Sequence, residues 1–289
     1  MRSRLSATLR LAVVQTAPVL RAAAHNARAI ADRAGEAAAD VALTPELSLT
    51  GYDVGDAVHE LARDAGPGRD FGNDALRTVA GHVIVGCIED APHGPFNTAV
   101  VLHGGRVHFR HRKVYLPTYG MFDEGRWFGR GSTIDVWSGP HGWRIGLLVC
   151  EDLWHPGLIY ALASRGIDAL LVQAAAPGRG VWEAGPQGRF ASADVWERIA
   201  RTTAQLYGIY VALCNRTGVE GAVTFAGSSL VAGPDGGVVA RAADHGEEVL
   251  TVELTPAALQ AAHRPYSHGR DDDVRLVVRE LDRSLAGLG

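Results

Sequence analysis

Short apolar runs, each about as long as one buried strand, recur along this chain and alternate with helix-like segments. We expect strands at Leu9–Val14, Asp40–Leu43, His82–Glu89, Arg144–Val149, Ile167–Gln173, Ile209–Leu213 and Glu248–Glu253. Helices are expected over residues 22–39, 71–81, 156–165 and 193–207. Alternating strands and helices predict an α/β fold in which helices cover layered sheets.

Two further pairs of strand-like segments are close enough in sequence to form hairpins. Asn97–His103 and Arg106–Val114 flank Gly104-Gly105, a two-residue turn of the primed kind. Ser228–Ala232 and Val238–Ala242 flank a turn rich in glycine. These hairpins add antiparallel strands to the α/β pattern, so mixed sheets are expected.

Composition limits the organisation of the chain and its partners. An apolar content of 47% is enough for one large core, and no Pro/Ser linker or repeat divides the sequence. We therefore expect a single domain over residues 1–289, with its core at about 9–254 and a tail at 255–289. The net charge of −4 gives no basic field for nucleic acid. No apolar stretch approaches the ~20 residues that span a membrane, so no membrane partner is expected.

The N-terminus faintly resembles a signal peptide. However, Gln15, Thr16 and Pro18 interrupt its apolar run, and a helix-like pattern follows immediately. We interpret it as a short basic tail before the first strand, which predicts a cytoplasmic protein.

The three cysteines, Cys87, Cys150 and Cys214, are far apart in sequence and form no C-x-x-C pair. This spacing argues against both a disulfide framework and a zinc cluster. Histidines at ligand spacing are also absent, so neither a metal nor a cofactor is expected. Cys87 and Cys214 lie inside apolar strand-like runs and are interpreted as buried structural residues.

Cys150 differs because it closes an apolar strand, RIGLLVC, and is followed by Glu151-Asp152-Leu153-Trp154-His155-Pro156. Proline is favoured in the first turn of a helix, so the thiol is expected to face a helix N-terminus. The positive end of the helix dipole lowers the pKa of a thiol, and the N–H groups there can hold an oxyanion. On this pattern alone, a structural cysteine is an equal alternative.

Lys113 ends a strand in which Val107, Phe109, His111 and Lys113 are expected to share one face. Two of these residues are apolar, so the face is interpreted as inward. A desolvated lysine there needs a counter-charge. The alternative is a strand-end lysine that reaches water.

Two glutamates are candidates for that charge. Glu46 follows the second strand in Pro45-Glu46-Leu47, and Glu124 lies in a long loop over residues 115–133. Each is open to a simpler interpretation as a surface acid. Together with Lys113 and Cys150, they supply a base, a cation and a nucleophile at strand ends, where α/β sheets gather active sites.

The motifs PEL, RKVYLP and VCEDLW, in this order, resemble the nitrilase (carbon–nitrogen hydrolase) superfamily over most of the chain. The resemblance implies a Glu–Lys–Cys triad at Glu46, Lys113 and Cys150, with Glu124 as the second glutamate of the family. It also implies a four-layer α-β-β-α sandwich that pairs into homodimers or higher oligomers. His111 and His155 are expected to be structural.

The branch most similar in these motifs is the glutaminase domain of glutamine-dependent NAD synthetases. The resemblance implies that Tyr52, Tyr119 and Glu151 hold the substrate head group and that Trp154 lines the pocket. No phosphate-binding GxxxxGK[ST] motif is present. Where that branch has an Asn-x-Ser type motif, this chain has Gln173-Ala174-Ala175-Ala176, so Ala175 is expected to form a less polar wall.

Several functions stay open at this point. The first is hydrolysis of a small linear amide, or of an N-carbamoyl compound, with release of ammonia. The second is a glutamine amidohydrolase subunit that supplies ammonia to a separate synthetase. A nitrilase is disfavoured because Glu151 stands where that branch has an aromatic residue. A catalytically silent binding protein is disfavoured because all four candidate catalytic residues are present.

Overall fold

The structure is a computed structural model that describes Leu5 and residues 7–180, 189–265 and 268–287. Most of the predicted basic tail and residues 181–188, between the strand expected at Ile167–Gln173 and the helix expected over 193–207, lie outside the described residues. The runs predicted to be strands all form strands, with ends within two residues of the expected positions.

The strands are β1 (Leu9–Gln15), β2 (Val41–Leu43), β3 (His82–Glu89), β4 (Phe96–His103), β5 (Arg106–Arg112), β6 (Val136–Ser138), β7 (Arg144–Val149), β8 (Ala169–Ala174), β9 (Tyr210–Asn215), β10 (Thr217–Glu220), β11 (Val223–Ala226), β12 (Leu230–Ala232), β13 (Val238–Arg241) and β14 (Glu248–Leu254). The α-helices are α1 (Ala23–Ala37), α2 (Val58–Leu61), α3 (Asp74–Arg77), α4 (Glu124–Trp127), α5 (Pro156–Ser164), α6 (Ala191–Tyr207), α7 (Pro256–His263), α8 (His268–Asp271) and α9 (Val274–Ala286). None of the helices in the described ranges is long and apolar enough to cross a bilayer.

The structure contains two six-stranded sheets with the same arrangement of parallel and antiparallel strands. Their strand orders are β14-β1-β2-β3-β4-β5 and β13-β12-β9-β8-β7-β6. In each sheet three parallel strands form the middle, β1-β2-β3 in the first and β7-β8-β9 in the second. Antiparallel strands flank them on both sides. The carboxyl ends of the parallel strands therefore lie at one edge of each sheet, which is where α/β proteins usually carry their functional loops.

The sheets pack face to face, with helices on their outer faces. Leu11 and Val13 of β1 join the core between the sheets, whereas Ala12 and Val14 pack against α1. On the second sheet, Trp196, Ala200 and Ala204 of α6 belong to the same continuous apolar cluster. Burial on both faces explains why the strands read as continuous apolar runs. This arrangement is the expected α-β-β-α sandwich.

Three local features differ from what the sequence led us to expect. The helix expected over residues 71–81 is limited to α3, because Gly81 must pass close to the backbone of Ala39 to enter β3. A Cβ atom on Gly81 would lie 2.2 Å from the Ala39 carbonyl oxygen. The small hairpin β10–β11 and the edge strand β6 were missed, because neither carries an extended apolar run.

The third concerns the face of β5. Val101 pairs with Phe109 and Leu102 pairs with Val107, so a bulge at His108 interrupts the alternation. Val107 therefore packs on the outer, helix-covered side, while Phe109 packs against the core between the sheets. His111 and Lys113 are both buried.

Candidate active site

The candidate site lies where β2, β5 and β7 end. Glu46 lies in the turn after β2, Lys113 follows β5 directly, and Cys150 follows β7 directly. The turn that carries Glu46 passes close to Gly86 of β3. A Cβ atom on Gly86 would lie 2.2 Å from the backbone nitrogen of Leu47, so only glycine fits there.

The Lys113 ammonium is fully buried and bridges two carboxylates. Its Nζ atom donates to Glu46 Oε1 and to Glu124 Oε1, both at 2.7 Å. Burial alone lowers the pKa of a lysine, but the Glu124 and Glu46 carboxylates outweigh it and raise the pKa of Lys113 well above its ordinary value. Lys113 is therefore a cation at neutral pH in a buried site.

Glu124 enters the site from α4, within the long loop that follows Lys113. Its Oε1 atom also accepts a hydrogen bond from the Tyr52 hydroxyl. Burial raises the pKa of Glu124 to about 7, while the Lys113 ammonium opposes the shift and the Glu46 carboxylate adds to it. Burial and the neighbouring carboxylates also raise the pKa of Tyr52 well above its ordinary value. Tyr52 is therefore a hydrogen-bond donor at neutral pH.

Asn97 is a site residue that sequence reasoning missed. Its side-chain Nδ2 donates to Glu46 Oε1 at 2.7 Å, and its backbone carbonyl accepts the N–H of Lys113 at 2.9 Å. It thus holds both the candidate base and the candidate cation. The signal available in the sequence was a polar amide within the apolar β4 run.

Three buried acceptors of this cluster have no hydrogen-bond partner among the described residues: Glu46 Oε2, Glu124 Oε2 and Asn97 Oδ1. Buried polar atoms are normally paired, and exceptions concentrate at functional sites. Each of these oxygens can accept a hydrogen bond from an N–H group, and the two carboxylate oxygens can also accept a proton. The cluster is therefore suited to bind an amide nitrogen and to exchange protons with it.

Cys150 is buried, with 6% of its surface exposed, and its φ angle of 50° is rare for a residue other than glycine. Burial is the main factor that raises the pKa of its thiol well above the ordinary value. The Glu46 carboxylate raises it further, while the Lys113 ammonium and the backbone N–H of Ala175 oppose the rise. The expected lowering of this pKa by a helix N-terminus was wrong, because burial and the carboxylates outweigh the opposing groups; a 3₁₀ turn over Cys150–Trp154 also lies between the thiol and α5. The resting thiol therefore needs a base.

The other predicted pocket residues do not all lie together. Tyr119 and Glu151 form a pair, with the tyrosine hydroxyl donating to Glu151 Oε2 at 2.7 Å. Burial, with the Glu151 carboxylate, raises the pKa of Tyr119 to about 12. Ala175 is buried beside Cys150. Trp154 is 42% exposed and packs edge-on against Trp196 at 5.5 Å between ring centroids.

A cleft of about 590 Å³ lies over the Tyr119–Glu151 pair. It is lined by Tyr115, Leu116, Pro117, Thr118, Tyr119, Gly125, Phe128, Arg130, Glu151 and His155. Trp154 is not among these residues. The cleft reaches Glu151, the residue next to Cys150, and is large enough to hold a small polar molecule.

Comparisons with known proteins agree with the motifs and the fold. A family model described as carbon-nitrogen hydrolase matches residues 10–264. The glutamine-dependent NAD(+) synthetase of Rhodobacter capsulatus is 32% identical over 264 residues, which are 86% of this chain and 44% of that protein. The chain therefore spans about half the length of the curated synthetases that it matches.

Solved structures show the same fold. A carbon-nitrogen hydrolase from Helicobacter pylori G27 has a TM-score of 0.79 and 24% identity, over 95% of this chain and 99% of that one. An amidase variant from Nesterenkonia sp. AN1 has a TM-score of 0.74 and 25% identity, over 94% of this chain and 96% of that one. That structure shows covalent addition of the acetamide moiety of fluoroacetamide at the active site cysteine.

Proposed function

This chain belongs to the carbon–nitrogen hydrolase family, and we propose that it hydrolyses a small linear amide through a thioester on Cys150, with release of ammonia. The observation that carries this proposal is the buried Lys113 ammonium, 2.7 Å from both Glu46 and Glu124, with the buried Cys150 thiol within the electrostatic influence of all three groups. A base, a cation and a nucleophile in one buried site are the parts that acyl transfer requires.

In the first half-reaction, Glu46 accepts the Cys150 proton. Its Oε1 atom is already occupied by Lys113 and Asn97, so its free Oε2 atom is the acceptor. The thiolate attacks the amide carbon, and the electron pair of the C=O bond moves to oxygen. Lys113 and a backbone N–H after Cys150 stabilise that oxyanion; one such donor contributes about 3 kcal/mol.

The tetrahedral intermediate collapses when Glu46 returns its proton to the nitrogen. The C–N bond breaks, ammonia leaves, and the acyl group stays on sulfur as a thioester. In the second half-reaction Glu46 takes a proton from water, and the resulting hydroxide attacks the thioester. The C–S bond then breaks, the carboxylic acid is released, and Glu46 returns its proton to the Cys150 sulfur to restore the thiol. Glu124 keeps Lys113 and Tyr52 in place through both steps.

A second candidate function is the hydrolysis of glutamine to feed ammonia to a separate synthetase. The Glu151 carboxylate at the cleft, with Tyr119 against it, is suited to an ammonium group such as that of glutamine. The names of the curated relatives favour the same substrate. Against it stands the wall at Ala175 and Ala176, which offers no hydroxyl group.

The experiment is a panel of aliphatic amides, glutamine, N-carbamoyl compounds and nitriles, scored by ammonia release. We expect turnover of at least one amide and none by Cys150→Ala. Efficient turnover of glutamine favours the second function, and its absence beside turnover of aliphatic amides excludes it. Release of ammonia from nitriles alone contradicts both.

A further inference from the structure

A buried carboxylate outside the proposed catalytic group joins the two sheets at the candidate site. Asp152 is fully buried and lies two residues after Cys150. Its Oδ1 atom accepts the backbone N–H groups of Val114 at 3.0 Å and Tyr115 at 2.9 Å. Its Oδ2 atom accepts the N–H of Val149 at 3.1 Å and lies 2.9 Å from His111 Nε2.

The partners of Asp152 belong to different sheets. Val114 and Tyr115 directly follow Lys113, at the end of β5 in the first sheet. Val149 directly precedes Cys150, at the end of β7 in the second sheet. A single carboxylate therefore sets the position of the lysine-bearing strand end relative to the cysteine-bearing turn.

Local turn formation does not explain these contacts. The bond to Val149 closes the turn after β7, and any short polar side chain serves that purpose. The bonds to Val114, Tyr115 and His111 span 37 to 41 residues of sequence and contribute nothing to the turn. Four donors need two acceptor oxygens, which a carboxylate has and an amide does not. Hydrogen bonds to a charged acceptor are also about twice as strong as neutral ones.

We propose that Asp152 is a positioning residue that holds Lys113 in register with Cys150, and that His111 completes this link. The proposal rests on the proposed function, because it assigns a role in that reaction. His111 is buried and lies two residues before Lys113. Its bond to Asp152 therefore fixes the end of β5, from which Lys113 follows. A displacement of about 1 Å in such a site costs about 100-fold in rate.

The test compares Asp152→Asn, His111→Gln and His111→Leu with Glu197→Gln as control. Glu197 is a buried carboxylate on α6 that accepts bonds from Arg189 and Arg241, neither of which belongs to the candidate site. The readouts are kcat and KM for the best amide, the rate of Cys150 alkylation by iodoacetamide against pH, and the unfolding temperature. For Asp152→Asn we expect kcat to fall about 100-fold with KM within about threefold. We also expect alkylation at pH 7 to slow at least about tenfold.

The histidine variants separate positioning from stability. Because glutamine places an N–H donor near Nε2, His111→Gln is expected to stay within about threefold of the wild type, and His111→Leu to lose about tenfold in kcat. Glu197→Gln lowers the unfolding temperature but leaves kcat and the alkylation profile unchanged.

Folded Asp152→Asn with wild-type kcat and alkylation overturns the proposal. If Asp152→Asn does not fold, the comparison of His111→Gln with His111→Leu tests the proposal instead. Equal kcat values in these two variants overturn it. If the wild type turns over no amide, the proposed function fails, while the alkylation profiles still test the role of Asp152.

Discussion

Replacement of Glu124 by glutamine is expected to stabilise the protein increasingly as the pH rises. The pKa of Glu124 is raised from 4.5 to about 7 in the folded protein, mainly by burial. Between these values the folded state binds more protons than the unfolded state, so the free energy of unfolding falls as the pH rises. Each pH unit contributes about 1.4 kcal/mol, so ionisation of Glu124 costs the folded state about 3 kcal/mol by pH 8. Glutamine keeps an acceptor for Lys113 and Tyr52 and does not ionise.

Urea unfolding followed by tryptophan fluorescence at pH 5, 6, 7 and 8 measures this effect. The difference in unfolding free energy between Glu124→Gln and the wild type is expected to grow towards pH 8 in favour of the variant, while amide hydrolysis falls. Glu197→Gln is the matched control with the opposite sign. Although burial raises the pKa of Glu197, bonds from Arg189 and Arg241 outweigh it and lower the pKa. Glu197 therefore stabilises the wild type by a constant amount from pH 5 to 8, because this contribution is lost only as the pH falls below the unfolded-state value of 4.5. A Glu124 difference that is independent of pH, or that favours the wild type at pH 8, refutes the reasoning.

Three further variants test the cluster. Lys113→Met leaves two buried carboxylates without a cation. We therefore expect the free energy of unfolding to fall by about 3–5 kcal/mol and amide hydrolysis to be lost. An unchanged free energy of unfolding in urea contradicts this. Asn97→Leu removes one of two donors to Glu46. It is expected to lower kcat about tenfold or more with little change in KM, measured by steady-state ammonia release. Gly86→Ala forces the Glu46 turn away and is expected to reduce both unfolding temperature and kcat, whereas wild-type values for both exclude the close approach.

The strands and the candidate residues at their ends were predictable because the sequence records them locally. Apolar β-branched runs mark most of the buried strands. Cys150 directly follows such a run, Glu46 lies three residues after β2, and Lys113 directly follows the hairpin strand β5. Parallel strands in α/β folds present their carboxyl ends to a common edge, so residues distant in sequence were expected to meet. The direct contact of Lys113 with Glu46 and Glu124 agrees with that expectation.

The remaining features depend on three-dimensional contacts that no local pattern encodes. Asn97 reaches Glu46 across 51 residues, and Asp152 joins strand ends of different sheets. The direction of the Cys150 pKa was mispredicted, because depth of burial and the two carboxylates matter more than the nearest helix. The bulge at His108 also reverses the alternation of β5, which its sequence does not indicate.

The most direct test of the central claim is the intact mass of the protein quenched with acid during turnover of an amide substrate. The proposed mechanism predicts a mass increase equal to one acyl group, located by peptide mapping on Cys150. In Cys150→Ala the adduct is absent and ammonia release falls by at least about 1000-fold. Ammonia release that persists in Cys150→Ala, or an acyl group on another residue, contradicts the assignment of Cys150 as the nucleophile.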